Sequence, residues 1–289
     1  MQRIALRKML EQFYMEDIGS GDLSAQLISD SDNQQAVIYA KQEGIVAGVD
    51  VIREAFSVLD DQVRVSLLKK DGDAIAYGEP IATLSGNPSV LLTGERVVLN
   101  LLQRMSGIAT ATRNAIETLN DPSIRICDTR KTTPGLRMLE KYAVTAGGGY
   151  NHRFGLYDGI MIKDNHIAAE GSITAAVAKA KAKHGHMVKI EVEIEDEAQL
   201  REAIAAGPDI IMFDNCDPDT VRRFAQLTPP HITTEASGGI HMRTLPTYKG
   251  TGVHYISLGF LTHSVSSLDI SMDIVASPER LQTIERQVN

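Results

Sequence analysis

The stretch "VKIEVEIEDEAQLREAIAAGPDIIMFDN", from Val188 to Asn215, contains the pattern that decides the fold. An alternating apolar run, "VKIEVEI", is followed by a helical segment over about Glu195–Ala206 and then by a second apolar run, "DIIMF". Short apolar runs that alternate with helical segments are typical of parallel βα units. The first run carries Glu193 near its carboxyl end, and Asp214 directly follows the second.

The same alternation extends over the second half of the chain. It predicts six strands, "IRIC", "GIMIK", "VKIEVEI", "DIIMF", "ITTEA" and "HYISL". The helices predicted between them cover Leu136–Ala146, Ile173–His184, Glu195–Ala206, Asp219–Leu227 and a shorter stretch near Met242–Tyr248. Both a β/α barrel and a doubly wound open sheet fit this order of elements.

The residues at the strand ends decide between these two folds. Polar, charged or glycine residues follow all six strands: Asp128–Lys131, Lys163–Asn165, Glu193, Asp214–Asn215, Ser237–Gly239 and Gly259. A β/α barrel collects such residues around one ring, whereas an open sheet concentrates them at one crevice. The pattern therefore favours the barrel.

The first ninety residues differ in texture and predict an α+β region. We expect a helix over Ile4–Ile18, strands at "AVIYAKQ" and "IVAGV", a helix over Asp50–Leu59 and turn-linked strands in "VRVSLLKKDGDAIAYGEPIATLSG". The turn rhythm of the last segment is that of a biotinyl or lipoyl module, but "DAIAYGEP" offers no acceptor lysine, so a plain antiparallel sheet is favoured. A long helix follows over Ser89–Leu119.

Composition limits the classes of protein to which the chain can belong. The 289 residues are 43% hydrophobic and 23% charged, with a formal net charge of −8, which is typical of a globular protein. An acidic chain lacks the broad basic face of nucleic-acid or membrane-surface binders. Cys127 and Cys216 have no metal-ligand spacing, and no apolar run resembles a signal peptide or a membrane span. We therefore expect a cytoplasmic protein with reduced thiols.

One basic stretch stands out against this acidic background. "DTRKTTPGLRMLEKYAVTAGGGYNHRFG", from Asp128 to Gly155, contains four Arg or Lys in its first half and His152-Arg153 near its end. Arg130-Lys131 directly follows a strand, where it is better placed to bind a carboxylate or phosphate than to form a solvated face. The glycines at 147–149 return the chain toward the same end of the barrel. The stretch predicts a pocket for a small anion.

Acidic residues are expected to face this pocket. Lys189, Glu191 and Glu193 alternate with apolar residues and so share one face of a strand. An interior ion pair between neighbouring strands is the structural alternative, and Glu193 is the functional candidate. Asp214 is expected at a similar height, with a turn or helix N-cap as its alternative. Together they suggest binding of Mg²⁺, ribose hydroxyls or a cationic transition state.

Two glycine loops and one lysine complete the candidate chemistry. "ASGGI" and "SLG" follow the last two strands, where small residues let backbone N–H groups approach a phosphate. Lys163 raises a rival hypothesis, because a strand-end lysine in a barrel can form a Schiff base. That chemistry needs neither the acidic pair nor the phosphate loops.

With these residues assembled, the chain resembles the quinolinate phosphoribosyltransferase family. The matching stretches are "EDIGSGDLS", "GERVVLNLLQRMSGIAT", "DTRKTTPGLRMLEKYAV", "GGGYNHRFGL", "IKDNHI", "EVE", "FDN", "SGGI" and "SLG", in order over nearly the whole chain. A paralogous group of the molybdenum-transport type shares the Thr-Arg-Lys and His-Arg elements. "RKTTPGLRMLEKYAV" with "IKDNHI" fits the enzyme family better.

The resemblance implies a fold, an assembly and a reaction. The implied fold is an N-terminal α/β sandwich over 1–100, on which 268–289 packs back, and an open barrel of about seven strands over 101–267. The implied assembly is a homodimer with shared active sites, with any higher oligomer left open. The implied activity is that of a pentosyltransferase of NAD biosynthesis, which joins quinolinate to 5-phosphoribosyl-1-pyrophosphate with Mg²⁺ and gives nicotinate mononucleotide, pyrophosphate and CO₂.

The resemblance also assigns roles to residues. Quinolinate would be held by Arg130, His152, Arg153 and Lys163, with Arg96 reaching in from the neighbouring subunit. The ribose, pyrophosphate and metal would face Lys131, Glu193 and Asp214, the two carboxylates binding Mg²⁺ indirectly or through the substrate. The 5-phosphate would be held by Ser237, Gly238, Gly239, Gly259 and His263. Thr129 and Ser257 complete the substrate-binding set, and the catalytic set is Lys131, Lys163, Glu193 and Asp214.

Overall fold

The computed structural model describes residues 1–28 and 33–275. The chain divides into two compact units. The first contains Met1–Ala111, Met138–Gly148 and the described chain from Val265 on, and the second contains Thr112–Arg137 and Gly149–Ser264.

The first unit is built from helices and an antiparallel sheet. Its elements are α1 (Arg3–Ile18), a 3₁₀ turn (Ala25–Leu27), β1 (Gln34–Ala40), β2 (Gly44–Ile45), α2 (Val49–Leu59), β3 (Arg64–Leu67), β4 (Ala74–Ile75), β5 (Pro80–Gly86) and most of α3 (Pro88–Leu119). The last element of the described chain, β12 (Ile270–Val275), pairs with β1 in a sheet ordered β12-β1-β5-β3. The predicted α+β character is confirmed, although "IVAGV" forms only the two-residue strand β2.

Packing in the first unit depends on the start of α2 and on a close contact between α2 and α3. α2 begins after Gly48, which has a φ of 99°, and the Asp71 carboxylate accepts hydrogen bonds from the N–H groups of Gly48 and Val49. The apolar face of α2 is buried against α3 at Gly94, where an added Cβ would lie 2.6 Å from Cε1 of Phe56. Glycine is therefore required at this helix contact.

The second unit carries the parallel strands. Its elements are β6 (Arg125–Cys127), the start of α4 (Arg137–Ala146), β7 (Ile160–Ile162), α5 (Asp164–Glu170), α6 (Ile173–Lys183), β8 (Ile190–Ile194), α7 (Glu197–Ala206), β9 (Ile210–Asp214), α8 (Pro218–Leu227), β10 (Thr233–Ser237), a 3₁₀ turn (Leu245–Tyr248), β11 (Tyr255–Ser257) and α9 (Phe260–His263). Each of the six predicted strands is present. α5 and α9 were not predicted, since both are short and follow strands directly.

The strand order identifies a barrel. The sheet runs β6-β11-β10-β9-β8-β7, with all neighbours parallel. The order is sequential from β7 to β11 and then returns to β6, which is cyclic, whereas a doubly wound sheet reverses its order at a switch point. Helix caps fix the turns between strands and helices, since Ser172, Asp196 and Asp217 each accept N–H groups of the helix that follows.

The seventh strand of the expected barrel is reduced to a single bridge. Tyr150 forms an isolated parallel bridge with Cys127 at the outer edge of β6. Its N–H donates to the Ile126 carbonyl at 2.8 Å, and its carbonyl accepts from the Asp128 N–H at 3.1 Å. In the described part of the chain, no ladder joins this bridge to β7. The barrel is therefore open at this position, as expected from the resemblance.

One side chain that was predicted to face the barrel interior lies in solvent. Lys189 was expected to point into the barrel with Glu191 and Glu193, but it precedes β8, its side chain is 69% exposed, and its ammonium pairs with Asp209 at 2.6 Å. The contact-based units differ from the predicted domains 1–100 and 101–267, and these boundaries stay a prediction. Of the predicted packing segment 268–289, residues 276–289 lie outside the described residues.

The two cysteines were expected to be reduced thiols. Cys127 and Cys216 are free and buried, and burial, together with nearby acidic groups, raises the pKa of the Cys216 thiol to about 11. A thiol with a raised pKa is a poor nucleophile.

None of the described helices combines the length and apolar character of a membrane span. The cytoplasmic location stays a prediction.

Candidate active site

A cavity of about 760 Å³ lies at the carboxyl ends of the parallel strands. It is lined by all the predicted site residues of the second unit: Thr129, Arg130, Lys131, His152, Arg153, Lys163, Glu193, Asp214, Ser237, Gly238, Gly239, Ser257, Gly259 and His263. Arg96 is the exception, since it lies on α3 in the first unit with its side chain 58% exposed. The structure thus gathers residues from all six strand ends and from the His152-Arg153 segment.

Asp128 joins the two halves of the basic stretch. Its carboxylate, which is fully buried, accepts the backbone N–H of His152 at 2.9 Å and the side-chain amide of Asn151. Asp128 directly precedes the Thr129–Lys131 loop after β6. The predicted proximity of the Arg-Lys loop and the His-Arg segment therefore rests on one buried carboxylate.

Arg130 and Arg153 form a cationic wall of the cavity. Arg153 donates from Nη1 to the Gly159 carbonyl at 2.8 Å, while the Nε atoms of both arginines are buried without a partner. Burial and the neighbouring Arg130 charge lower the pKa of Arg153, although Glu191 and Glu193 oppose this. Two close guanidinium groups with unused donors fit a bound carboxylate. Arg137, from the same stretch, instead binds Thr132 and the Phe154 carbonyl and lies outside the cavity lining.

The acidic residues at the strand ends are partly paired. Lys163 and Glu193 form an ion pair within the cavity. Burial raises the pKa of Glu193, with Lys163 opposing the rise and the negative charges of Asp214 and Glu191 adding to it. Asp214 accepts a hydrogen bond from the Asn215 side chain at 2.8 Å. The N-cap of α8 is Asp217, so the N-cap alternative for Asp214 is wrong.

The glycine loops bring backbone close to other groups of the site. Gly238 has a φ of 87°, and an added Cβ there would lie 2.4 Å from Oδ1 of Asn215. At Gly259 an added Cβ would lie 3.0 Å from Cδ of Lys131. The Thr262 hydroxyl donates to the Lys131 carbonyl at 2.8 Å, which holds the loops after β6 and β11 together. Glycine is required at both positions because neighbouring atoms leave no room for a Cβ. A phosphate-binding loop also needs small residues, so that its backbone N–H groups can approach the phosphate.

The interior of the barrel contains a layer of residues that the sequence interpretation did not assign. Two residues before Lys163, Glu193, Asp214 and Ser237 on the same strand faces lie Met161, Glu191, Met212 and Glu235. We call the first four the strand-end layer and the second four the middle layer. Barrel interiors are usually filled by apolar side chains. Here the middle layer contains two buried glutamates, of which Glu235 also lines the cavity.

His152 lies against these two glutamates. Its Nε2 is 3.1 Å from Oε2 of Glu191 and 3.7 Å from Oε1 of Glu235. Oε1 of each glutamate is buried without a hydrogen-bond partner. Burial raises the pKa of Glu235 well above its usual range, the charge of Glu191 raises it further, and His152 opposes the rise. A carboxyl group in such surroundings is favoured in its protonated form.

The three side chains could be read as a metal centre, because their ligand atoms lie within 4.8 Å of one another. The hydrogen bonds of His152 argue against it. Its Nδ1 accepts the backbone N–H of Arg153 at 2.8 Å, so the neutral ring carries its proton on Nε2, toward the carboxylates. A metal-binding imidazole instead carries its proton on the nitrogen that faces away from the ion. The arrangement fits a shared proton better than a metal.

Glu235 could have been singled out from the sequence. In "ITTEAS" the period of two places Glu235 on the same face as Ser237, which was assigned to the cavity. A glutamate on the interior face of a parallel strand is unusual. Met161 and Met212, which also line the cavity, carried no such signal, because apolar residues are expected in any buried strand.

Comparison with known proteins finds relatives that match nearly the whole chain. Residues 22–106 match the family model for the N-terminal domain of quinolinate phosphoribosyl transferase, and residues 108–273 match the C-terminal domain. A probable nicotinate-nucleotide pyrophosphorylase [carboxylating] of Bacillus subtilis is 66% identical over 282 residues, covering 98% of each chain. The crystal structure of NadC from Streptococcus pyogenes is 40% identical with a TM-score of 0.92, covering 95% of this chain and 99% of that one. The nicotinate-nucleotide pyrophosphorylase from Francisella tularensis is 34% identical with a TM-score of 0.91, covering 95% and 98%.

Proposed function

The chain belongs to the quinolinate phosphoribosyltransferase family, and from this premise we propose how the residues of the cavity carry out the family's reaction. The enzyme is a nicotinate-nucleotide pyrophosphorylase of NAD biosynthesis. It joins quinolinate to 5-phosphoribosyl-1-pyrophosphate and releases pyrophosphate and CO₂. The single observation that carries the assignment of roles is the cavity itself, in which a cationic wall, an acidic pair and glycine loops meet.

The quinolinate end of the site is assigned to the cationic wall. Quinolinate is a dicarboxylate, and the unpartnered donors of Arg130 and Arg153 suit its two carboxylates. Lys163 would join them once its ion pair with Glu193 rearranges. His152 has both ring nitrogens directed at protein groups, so its part is to orient Arg153.

The ribose and phosphate end is assigned to Lys131, the acidic pair and the two glycine loops. Ser237–Gly239 with Gly259 would receive the 5-phosphate through backbone N–H groups, with His263 beside them. Lys131 would stabilise the departing pyrophosphate. Glu193 and Asp214 would offset the positive charge that develops on the ribose.

Mg²⁺ belongs to the same end of the site. Carboxylate oxygens are ligands that Mg²⁺ takes, but Glu193 is paired with Lys163 and Asp214 with Asn215. The donor set therefore fits an ion held by pyrophosphate oxygens, with the carboxylates acting through water or substrate. When bound, the ion neutralises charge on the pyrophosphate.

The reaction then follows from positioning. The pyridine nitrogen of quinolinate attacks the anomeric carbon of the ribose and becomes a pyridinium. This cation stabilises the ylide that remains when the adjacent carboxylate leaves as CO₂. Holding the nitrogen and the anomeric carbon in line is the main task of the two walls.

We also propose a homodimer with shared active sites. Arg96 is exposed on α3, is paired only loosely with Glu95 at 3.5 Å, and is absent from its own subunit's cavity lining. An exposed arginine of this kind suits a role in the partner's site. The Schiff-base alternative is disfavoured, because the Lys163 ammonium is ion-paired with Glu193, the opposite of the unpaired amine which that chemistry needs.

A direct assay tests this function. Purified enzyme is supplied with quinolinate, phosphoribosyl pyrophosphate and Mg²⁺, and pyrophosphate and CO₂ are measured together. Equal release of both products, dependent on quinolinate, is expected. Turnover of nicotinate in place of quinolinate, with no CO₂ released, would overturn the substrate assignment.

A further inference from the structure

The reaction requires a proton that no role assigned above provides. When the bond between C2 of the pyridinium and its carboxylate breaks, the electron pair stays on C2 and CO₂ leaves. The resulting ylide must gain one proton at C2 to become nicotinate mononucleotide. Without a positioned acid, recombination of the ylide with CO₂ competes with its protonation. This inference rests on the proposed function, because it concerns the second half of the same reaction.

Several described residues of the cavity can carry a proton, among them Lys131 and His263, which were assigned above to the pyrophosphate and the 5-phosphate. The Lys163 ammonium is held by Glu193, and Asp214 accepts from Asn215. His152 directs its Nε2 proton at Glu191 and lacks a proton on Nδ1. Glu235 differs from them, since it is 4% exposed and its Oε1 has no hydrogen-bond partner.

A second cavity connects Glu235 with the other end of the barrel. It measures about 360 Å³ and is lined by Glu191, Tyr150, Tyr255 and the exposed Lys189, among others. Three residues, His152, Arg153 and Glu235, line both cavities. Glu235 is thus the carboxyl group that faces the substrate cavity on one side and a route to the amino ends of the strands on the other.

We propose that Glu235 is a catalytic residue that donates the proton to C2 of the ylide and regains it through the second cavity. The O–H bond of the carboxyl group breaks, the C2–H bond forms, and a carboxylate remains. Water that enters past Lys189 supplies the replacement proton, so that one proton from solvent is consumed in each turnover.

The charges around Glu235 support both halves of this cycle. From β8 it faces Glu191 and Glu193, and from the segment after the Tyr150 bridge it faces His152, beside Arg153. β9 contributes Met212 opposite it and Asp214 at the strand end, and β11 contributes the uncharged Ser257. Burial and the glutamate charges favour the protonated acid before the step. After the step the same charges drive the return of a proton.

The test separates the two halves of the reaction in a single turnover. The holoenzyme with Mg²⁺ is mixed with quinolinate labelled in the C2 carboxylate and with phosphoribosyl pyrophosphate. For Glu235→Gln we expect pyrophosphate release within about threefold of wild type and CO₂ release slower by about 10²-fold, the typical contribution of general acid catalysis. A carboxylated mononucleotide should therefore accumulate. Release of both products together, at the wild-type rate or equally slowed, would overturn the proposal.

Glu191→Gln is the matched control. Glu191 is equally buried and also faces His152, but it lines only the second cavity. In this variant the two products should stay coupled, whatever its rate. Accumulation of the adduct in Glu191→Gln and not in Glu235→Gln would move the role to Glu191 and overturn the assignment.

The wild-type enzyme provides a test that needs no variant. Raising the pH far enough to deprotonate Glu235 should delay CO₂ behind pyrophosphate in the wild type. A constant ratio up to the pH at which the enzyme unfolds would contradict the proposal. If the wild type released neither product, the proposed function would have failed rather than this inference.

Discussion

The strand-end layer and the middle layer of the barrel each contain two acidic side chains, yet these are paired differently. In the strand-end layer Glu193 is ion-paired with Lys163 and Asp214 accepts from Asn215. Two residues deeper, Glu191 and Glu235 both lie against His152, and Oε1 of each has no hydrogen-bond partner. The difference teaches that burial deep in the barrel, where fewer partners are within reach, favours the protonated form of the Glu235 carboxyl group.

Removing charge from the strand-end layer should have the largest effect on catalysis. Glu193→Gln and Asp214→Asn are expected to lower kcat by about 10²–10³-fold, because a preorganised charge at the transition state is lost. Quinolinate binding should change much less. Steady-state kinetics with calorimetry separate the two, and Glu197→Gln, on an exposed ion pair with Arg201, is the control. Unchanged kcat in both single variants would return these carboxylates to a structural role.

The cationic wall should affect binding rather than turnover. Arg153→Ala is expected to weaken quinolinate binding by about 10–100-fold, since hydrogen bonds to a charged partner in a dry site are lost. Isothermal titration measures this, with the exposed Arg201→Ala as the matched control. A collapse of phosphoribosyl pyrophosphate affinity with intact quinolinate binding would show that the wall serves the other substrate.

Much of this comparison could be predicted from the sequence. The period of two and the polar strand ends predicted six parallel strands and the barrel, and together with the family resemblance they predicted fourteen residues of the cavity lining. The middle layer was missed for a physical reason: the alternation places Glu191 and Glu235 inside, but solvation and partners depend on residues far apart in sequence. For Lys189 the predicted environment is wrong. The residue lies before β8, so its side chain is exposed to solvent instead of facing the barrel interior.

The seventh strand and α5 were not predicted from the sequence pattern either. A single bridge at Tyr150 has no periodicity, and it depends on hydrogen bonds to Ile126 and Asp128 of another segment. The helix α5 begins directly after Lys163, within a stretch that reads as a polar loop. The bridge depends on these tertiary contacts, whereas α5 is bounded by local signals that were overlooked: the His166 ring accepts the Lys163 N–H, and Gly171 ends the helix with a φ of 88°.

Subunit mixing tests whether the active site is complete within one chain. Arg96→Ala and Lys131→Ala homodimers should each be nearly inactive. Random re-pairing of equal amounts makes half of the dimers mixed, each with one intact site, so about a quarter of wild-type activity should return. Activity after verified subunit exchange is the measurement. No recovery would place Arg96 in its own subunit's site or in none.

The smallest expected effect is on the thermal stability of the protein, through the buried Glu235 carboxyl group of the middle layer. A carboxyl group whose pKa is raised by folding, as that of Glu235 is, binds more protons in the folded state, so stability falls as the pH rises above the ordinary glutamate range. Glu235→Gln removes this penalty and should raise Tm by about 2–4 °C at pH 8, with a smaller gain at pH 5. Thermal melts at both pH values measure it. A gain that does not grow with pH would contradict a buried acid.

The central claim is that Glu235 of the middle layer holds a proton, and infrared spectroscopy tests it most directly. Difference spectra of wild type against Glu235→Gln at neutral pH report the carbonyl stretch of a protonated carboxyl group, which carboxylates lack. The account predicts that this band is present in the wild type, lost in Glu235→Gln and retained in Glu193→Gln. Absence of the band from the wild type, or its persistence in Glu235→Gln, would contradict the claim.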